Sequence, residues 1–300
     1  MKKHIRLITA ITAIFLMFSL LAGCTPSGNT NSSTNTMFTL DTYPRMDGST
    51  ANLPLMAQYL STTCGIPLEE AEMLVSVSTT QSAWDNLAYG NVDILIVYEA
   101  SDDTIHRIQH EYGNFDITPI GRDGLVFLVN EDNPLNSLTQ NQLVSIYTGE
   151  VTNWAEVGGE DLNIVAFQRV DGSGSQTMFL KLLMQGTEPM EAPTELTPGG
   201  MGGLIEMLSS FDGSAPAIGY SVYYYVSEMN QDPNLKLLQV DGVAPTNETL
   251  ADGSYPLIND FYVVIRSDEP EGSPARMLRD WILSEEGMQE LIDAGYVPVR

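Results

Sequence analysis

Three hundred residues, 43% hydrophobic and 17% charged, can bury a substantial core and fit two compact units better than one. A formal net charge of −26 repels nucleic-acid phosphates and argues against a polynucleotide partner. Glycine (25) and proline (16) are near background, which excludes a collagen-like or wholly disordered chain, and no repeat of solenoid period is present.

The chain opens with Lys2, Lys3 and Arg6, an uncharged and mostly apolar run from Leu7 to Leu21, and Leu21-Ala22-Gly23-Cys24. A positive head, a short apolar stretch and small residues before a cut site predict a signal peptide over 1–23. The run is short for a stable membrane span of roughly 20 residues. L-A-G-C resembles the lipobox of bacterial lipoproteins, which implies that Cys24 becomes a lipidated first residue, attached to the outer face of a membrane. Removing 1–23 deletes three positive charges and no acid, so the remainder is more negative still. Residues 24–36 then form a lipidated flexible tether, because Thr25–Thr36 holds only small polar residues, Gly and Pro and cannot offset its ordering entropy by burial. The one other cysteine, Cys64, cannot close an internal disulfide and reads as a small buried residue.

From Met37 onward, short apolar stretches alternate with helical patterns. Met37–Leu40, Val92–Val97, Leu125–Val129, Ile164–Phe167 and Phe261–Ile265 read as strands. Leu53–Thr62, Ser82–Tyr89, Thr139–Thr148, Ser175–Met184, Gly202–Ser209 and Ala275–Ala294 read as helices. Thr139 with Gln142 fits a capping box, and Ser284 stands in a similar relation to Gly287. The alternation predicts an α/β fold with mainly parallel sheets, whose ligands sit where strands lead into helix N-termini.

Two loops stand at such places. Asp47-Gly48-Ser49-Thr50 precedes the helix at Leu53, and Arg169-Val170-Asp171-Gly172-Ser173-Gly174-Ser175 opens the helix at Ser175. Each presents hydroxyls and glycine-exposed N–H groups at the positive end of a helix, a combination suited to a small oxyanion. Either loop alone reads equally as a capped turn. In the second, Arg169 adds a planar fork matched to phosphate or carboxylate.

Several blocks then carry a resemblance. They are Asp123–Val129 (DGLVFLV), Leu138-Thr139 with Ile146–Trp154 (IYTGEVTNW), the Arg169–Ser175 loop, Ala217–Tyr220, Tyr255–Leu257, and Trp281–Ser284 with Gly287 and Gly295–Pro298. In this order, and over nearly all of the chain after Met37, the sequence resembles the phosphate-binding proteins of bacterial high-affinity phosphate transporters. The resemblance implies a type II periplasmic-binding-protein fold: two α/β lobes joined by two crossovers, 37–124 with 256–300 as lobe one and 125–255 as lobe two. It implies inorganic phosphate as ligand, ABC permease subunits as partners, no cofactor and no catalysis.

Carried over by motif, the ligand-binding residues are Ser49, Thr50, Thr80, Arg169, Ser173, Gly174 and Ser175, the last a Ser where the family usually has Thr. After strand Val92–Val97 the family places a Ser and a proton-accepting Asp, whereas this chain has Tyr98-Glu99. Asp47 and Glu99 are the candidate substitutes for that acceptor. The departure keeps open a different oxyanion or a phosphorylated solute, and the same fold also serves an extracellular sensor or adhesion lipoprotein.

Other chemistry lacks its residues. His106 and His110 are spaced i, i+4, but no H-E-x-x-H arrangement or cysteine cluster accompanies them, so they read as a polar helix face and no metal is expected. Neither a G-x-S-x-G elbow nor a phosphate-binding G-x-x-x-x-G-K-[ST] loop is present, which leaves an anchored hydrolase without its motifs. Tyr220 and Tyr223–Tyr225 read as packing.

Overall fold

The computed structural model describes residues 36–192, 197–210 and 216–299. The predicted leader, Cys24 and all but the last residue of the tether lie outside these residues. Among the described residues no helix is long and apolar enough to cross a membrane.

The chain begins as a turn in which Phe38 is buried and packs edge-on against Tyr43. The expected strand at Met37–Leu40 is absent, because the amides of Met37 and Phe38 donate to Thr63 O rather than to a sheet. The first strand is instead β1 (Met46–Gly48), followed by α1 (Leu53–Cys64), α2 (Leu68–Leu74) and α3 (Thr80–Ala88). Helix α1 buries Leu55, Met56, Tyr59 and Leu60 along one face. Cys64 is buried at its end, where desolvation pushes the thiol pKa up.

Strand β2 (Ile94–Tyr98) is buried along its whole length. Ile94, Ile96 and Tyr98 join the core on the α1 side. Leu95 and Val97 face Ala83, Trp84 and Leu87 of α3 and Ile108 of α4 (Asp102–Tyr112). A strand covered on both faces must be apolar at every position, as ILIVY is. His106 and His110 lie on the exposed face of α4, and no group of His, Cys, Asp or Glu among the described residues could hold a metal.

Strand β3 (Phe115–Asn130) organises the rest. Its first part pairs with β9 (Ile258–Arg266), from Phe115 opposite Arg266 to Gly124 opposite Ile258. Its second part pairs with β6 (Ala217–Val222), from Leu125 opposite Val222 to Val129 opposite Ile218. One strand thus passes from one sheet to another between Gly124 and Leu125.

Between β3 and β6 run β4 (Ser137–Leu138), α5 (Gln140–Tyr147), β5 (Val165–Ala166), α6 (Gly174–Met178) and α7 (Met201–Ser210). The Thr139–Gln142 capping box at α5 forms as expected. The helix expected at Ser175–Met184 starts one residue earlier and passes into a π-helical turn over Phe179–Met184. After β6 come β7 (Leu235–Leu237), β8 (Gln239–Val240), α8 (Asn247–Ala251), β9, α9 (Pro274–Ile282), α10 (Glu285–Asp293) and β10 (Val297–Pro298). The single helix expected over Ala275–Ala294 is broken, because Ser284 caps a new one by accepting from Gly287 N.

The strand path is β1-β2-β9-β3-β6-β5, with β7 and β10 also on β3. β1–β2, β5–β6 and β4–β8 are parallel, but β9 runs against both β2 and β3, and β6 against β3. This corrects the mainly parallel expectation. The α/β reading counts helices between strands, and it misses that β9 returns from the far half of the chain and enters its sheet from the opposite end.

Candidate functional site

Three helix starts converge on one cavity of about 350 Å3. The loop after β1 contributes Ser49 and Thr50, which lead through a 3-10 turn into α1. The start of α3 contributes Thr79, Thr80 and Gln81, and the loop before α6 contributes Arg169 through Ser175. All seven binding residues expected from the sequence, Ser49, Thr50, Thr80, Arg169, Ser173, Gly174 and Ser175, line it. The first amides of a helix have no partner within it, and the dipole favours negative charge there.

Hydroxyls complete the lining. Ser49 Oγ accepts from Tyr98 N at 3.1 Å and is paired with Thr80 Oγ1 at 2.8 Å. Ser173 caps α6 by accepting from Gln176 N. Ser175 Oγ accepts from Arg169 Nη1 at 3.3 Å.

Arg169 is the one cation among the described lining residues, and only 4% of it is exposed. Its Nε and Nη2 donate to the carbonyls of Pro198 and Gly199. Arg169 forms no ion pair with a carboxylate among the described residues. Burial presses its pKa below the usual guanidinium value, yet a guanidinium stays charged in a protein. A buried cation facing a polar cavity is a site for an anion.

The two candidate proton acceptors stand elsewhere. Asp47 is buried, but it does not line the cavity, and its oxygens accept from Gly48 N, Ser78 N, Ser78 Oγ and Asn86 Nδ2. Glu99 also lies off the lining and pairs with Lys181. The carboxylates that do line the cavity are Asp85, bound to Arg107 at 2.5 Å, and the exposed Asp171. Sequence adjacency to the site nominated Asp47 and Glu99; partners distant in sequence, Ser78 and Asn86 for the first and Lys181 for the second, engage them off the lining.

Sequence reasoning missed three supporting residues. Tyr220 is fully buried and stacked on Phe179 with ring centres 4.4 Å apart. Its hydroxyl bonds Gln176 Oε1 and accepts from Arg169 N at 3.1 Å, which fixes the arginine loop. Tyr98 lines the cavity and donates its phenol proton to Asp123 at 2.6 Å. Asp123 also accepts from Gly124 N and Tyr224 N. The only signals were a polar atom on an apolar strand and an acid inside DGLVFLV.

Comparison with known proteins places this geometry. A sequence model of the PBP superfamily domain matches residues 30–286. The phosphate-binding protein PstS of Bacillus subtilis is 28% identical over 211 residues, which are 70% of this chain and 64% of that protein. Thus the match spans just under two thirds of the relative's length. PstS of Staphylococcus aureus is 23% identical over 96% of this chain and 86% of its own.

Among solved structures, a Clostridium perfringens protein with bound phosphate superposes with a TM-score of 0.64 at 24% identity, covering 85% of this chain and 98% of that one. An ABC-type phosphate transport receptor from Vibrio cholerae gives 0.62 at 22%, covering 84% and 98%. At these identities the superpositions speak for the fold. Family match and fold together show that the chain belongs to the PBP superfamily and has its two-lobed α/β architecture.

Proposed function

We propose that this chain is a lipid-anchored receptor that captures inorganic phosphate outside the cytoplasm and hands it to an ABC importer. The observation that carries the reading is Arg169, buried, without a carboxylate partner among the described residues, and set in a cavity ringed by Ser49, Thr80 and Ser175 and by helix starts. Those groups can supply what a micromolar ligand needs, about 8 kcal/mol in total. Hydrogen bonds to a charged group contribute about 1.5–3 kcal/mol each, so five or more suffice after desolvation. Long-range repulsion from the acidic surface does not prevent this, since exposed charges are screened beyond roughly 8 Å.

The names of the relatives, phosphate-binding and transport receptors rather than enzymes, support the ligand and the importer. The leader and Cys24 support the location and the anchor. The change of pairing at Gly124/Leu125 supports lobes of 37–124 with 256–300 and of 125–255, with Ser49, Thr50 and Thr80 on one and Arg169, Ser173, Gly174 and Ser175 on the other.

A second reading, another tetrahedral oxyanion, is favoured by the engagement of Asp47 and Glu99 away from the cavity. A carboxylate acceptor welcomes the proton of hydrogen phosphate and repels sulfate, whereas hydroxyls serve either anion. Calorimetry of the protein with phosphate, arsenate, sulfate and molybdate separates the two. Tightest binding of phosphate is expected; tighter binding of sulfate or molybdate, or no oxyanion binding, overturns it.

A further inference from the structure

The anion cavity and the strand that joins the two sheets share one side chain. Tyr98 ends β2, and its N–H holds Ser49 Oγ at 3.1 Å. Its phenol reaches in the other direction, donating to Asp123 Oδ2 at 2.6 Å. Asp123 is 1% exposed and stands two residues before the point where β3 leaves β9 for β6. Its Oδ1 accepts from Gly124 N at 2.7 Å and from Tyr224 N, just beyond β6, at 3.1 Å. Three segments therefore meet on one carboxylate: the end of β2, the crossing strand and the exit from β6.

The titratable groups around Asp123 are phenols: Tyr98 from β2, Tyr223 and Tyr224 after β6, and Tyr296 before β10. The neighbouring Arg122 is turned to Asp260 at 3.6 Å, and no cation among the described residues pairs with Asp123. Burial pushes its pKa up to about 6. A buried carboxylate without a cation costs stability. What it does in return is hold three donors in fixed positions.

We propose that Asp123 is a positioning residue for anion capture: through Tyr98 it holds Ser49 toward the cavity, and through Tyr224 it ties that geometry to the strand crossover. The proposal rests on the phosphate-receptor reading for its ligand, but the positioning itself is a property of the free protein. The role is geometric. An asparagine at 123 can accept from Gly124 N and Tyr224 N through its oxygen and donate to the Tyr98 oxygen through its amide. An alanine can do neither, and phenylalanine at 98 removes the phenol alone.

The test compares wild type, Tyr98→Phe, Asp123→Ala and Asp123→Asn by phosphate titration, thermal unfolding and ligand-free amide exchange. Tyr98→Phe and Asp123→Ala should each weaken phosphate binding about tenfold and speed exchange of the position-98 amide by a similar factor. Asp123→Asn should restore both while remaining at least as stable as wild type at neutral pH. Binding and exchange within twofold of wild type in the first two variants overturn the proposal. So does a parallel loss of stability and affinity in all three, which is what a purely structural carboxylate gives. If wild type binds no phosphate but the exchange pattern appears, the ligand assignment falls and the positioning role stands.

Discussion

The N–H of Gln81 donates to the carbonyl of Gly172 at 3.2 Å, joining the start of α3 to the loop before α6 across the mouth of the cavity. Both residues belong to the cavity lining. Gly172 has φ +77°, and a Cβ there would lie 2.0 Å from Gln81 Oε1. At Gly174 a Cβ would lie 2.7 Å from Thr80 Oγ1. Glycine is what lets the two loops meet. A half-exposed ion pair, Lys181 with Glu99, joins the π-helical turn after α6 to the residue that follows β2.

These contacts differ in what they should be worth. Gly174→Ala places a methyl group against the Thr80 hydroxyl, keeps the loops apart and should weaken phosphate binding tenfold or more, with little change in thermal stability. Lys181→Ala removes a solvated pair worth roughly 0–1 kcal/mol, an effect that fades with added salt. Titrations at low and high ionic strength check both. A larger effect from Lys181→Ala would make the outer ion pair the principal clasp.

Arg169 should dominate the binding energy. Arg169→Ala leaves the anion to neutral dipoles, and removing one partner of a buried charged pair costs about 2–5 kcal/mol. Ser175→Ala should cost less, on the order of 1–3 kcal/mol. Arg169→Lys should not restore wild-type affinity, because a point charge cannot also reach Pro198 O, Gly199 O and Ser175 Oγ in one plane. Calorimetry on the three variants gives the ranking. Wild-type affinity in Arg169→Ala would reduce the loop to a helix cap.

Stability should depend on pH through Asp123. Its carboxyl has a pKa of about 6 in the fold against an ordinary 3.8, so the native state binds this proton more tightly than the unfolded chain does. The resulting stabilisation is complete below about pH 4 and is lost as pH rises through 6. Asp123→Asn cannot ionise. Between pH 4 and 8 the stability difference should therefore shift in the variant's favour by on the order of 2–3 kcal/mol. Urea unfolding of both proteins across that range measures it, and a constant difference would mean that Asp123 ionises in the fold as it does in water.

What the sequence made legible was local. The Arg169–Ser175 loop announces itself by glycines and hydroxyls ahead of a helix, and Thr139 with Gln142 by capping chemistry; both are settled within a few residues. What it hid depends on distant partners. Met37–Leu40 has a strand's composition, but its amides are claimed by the end of α1. Glu99 looks like an acceptor beside the site until Lys181, far along the chain, is brought to it. Tyr98 and Asp123 sit in apolar strands where only the fold shows that their polar atoms meet.

The pairing of β3 with β9 also governs when this protein can fold. Phe115 lies opposite Arg266, and Gly124 opposite Ile258, so the central ladder closes a loop that contains β4 to β8. Contacts this distant in sequence must overcome loop-closure entropy before they return any stability, which slows their formation. During synthesis the first half of β3 has no β9 to pair with until the last part of the chain has been made. Until then the strand that sits between β2 and β3 is missing, and those two strands have nothing to join them.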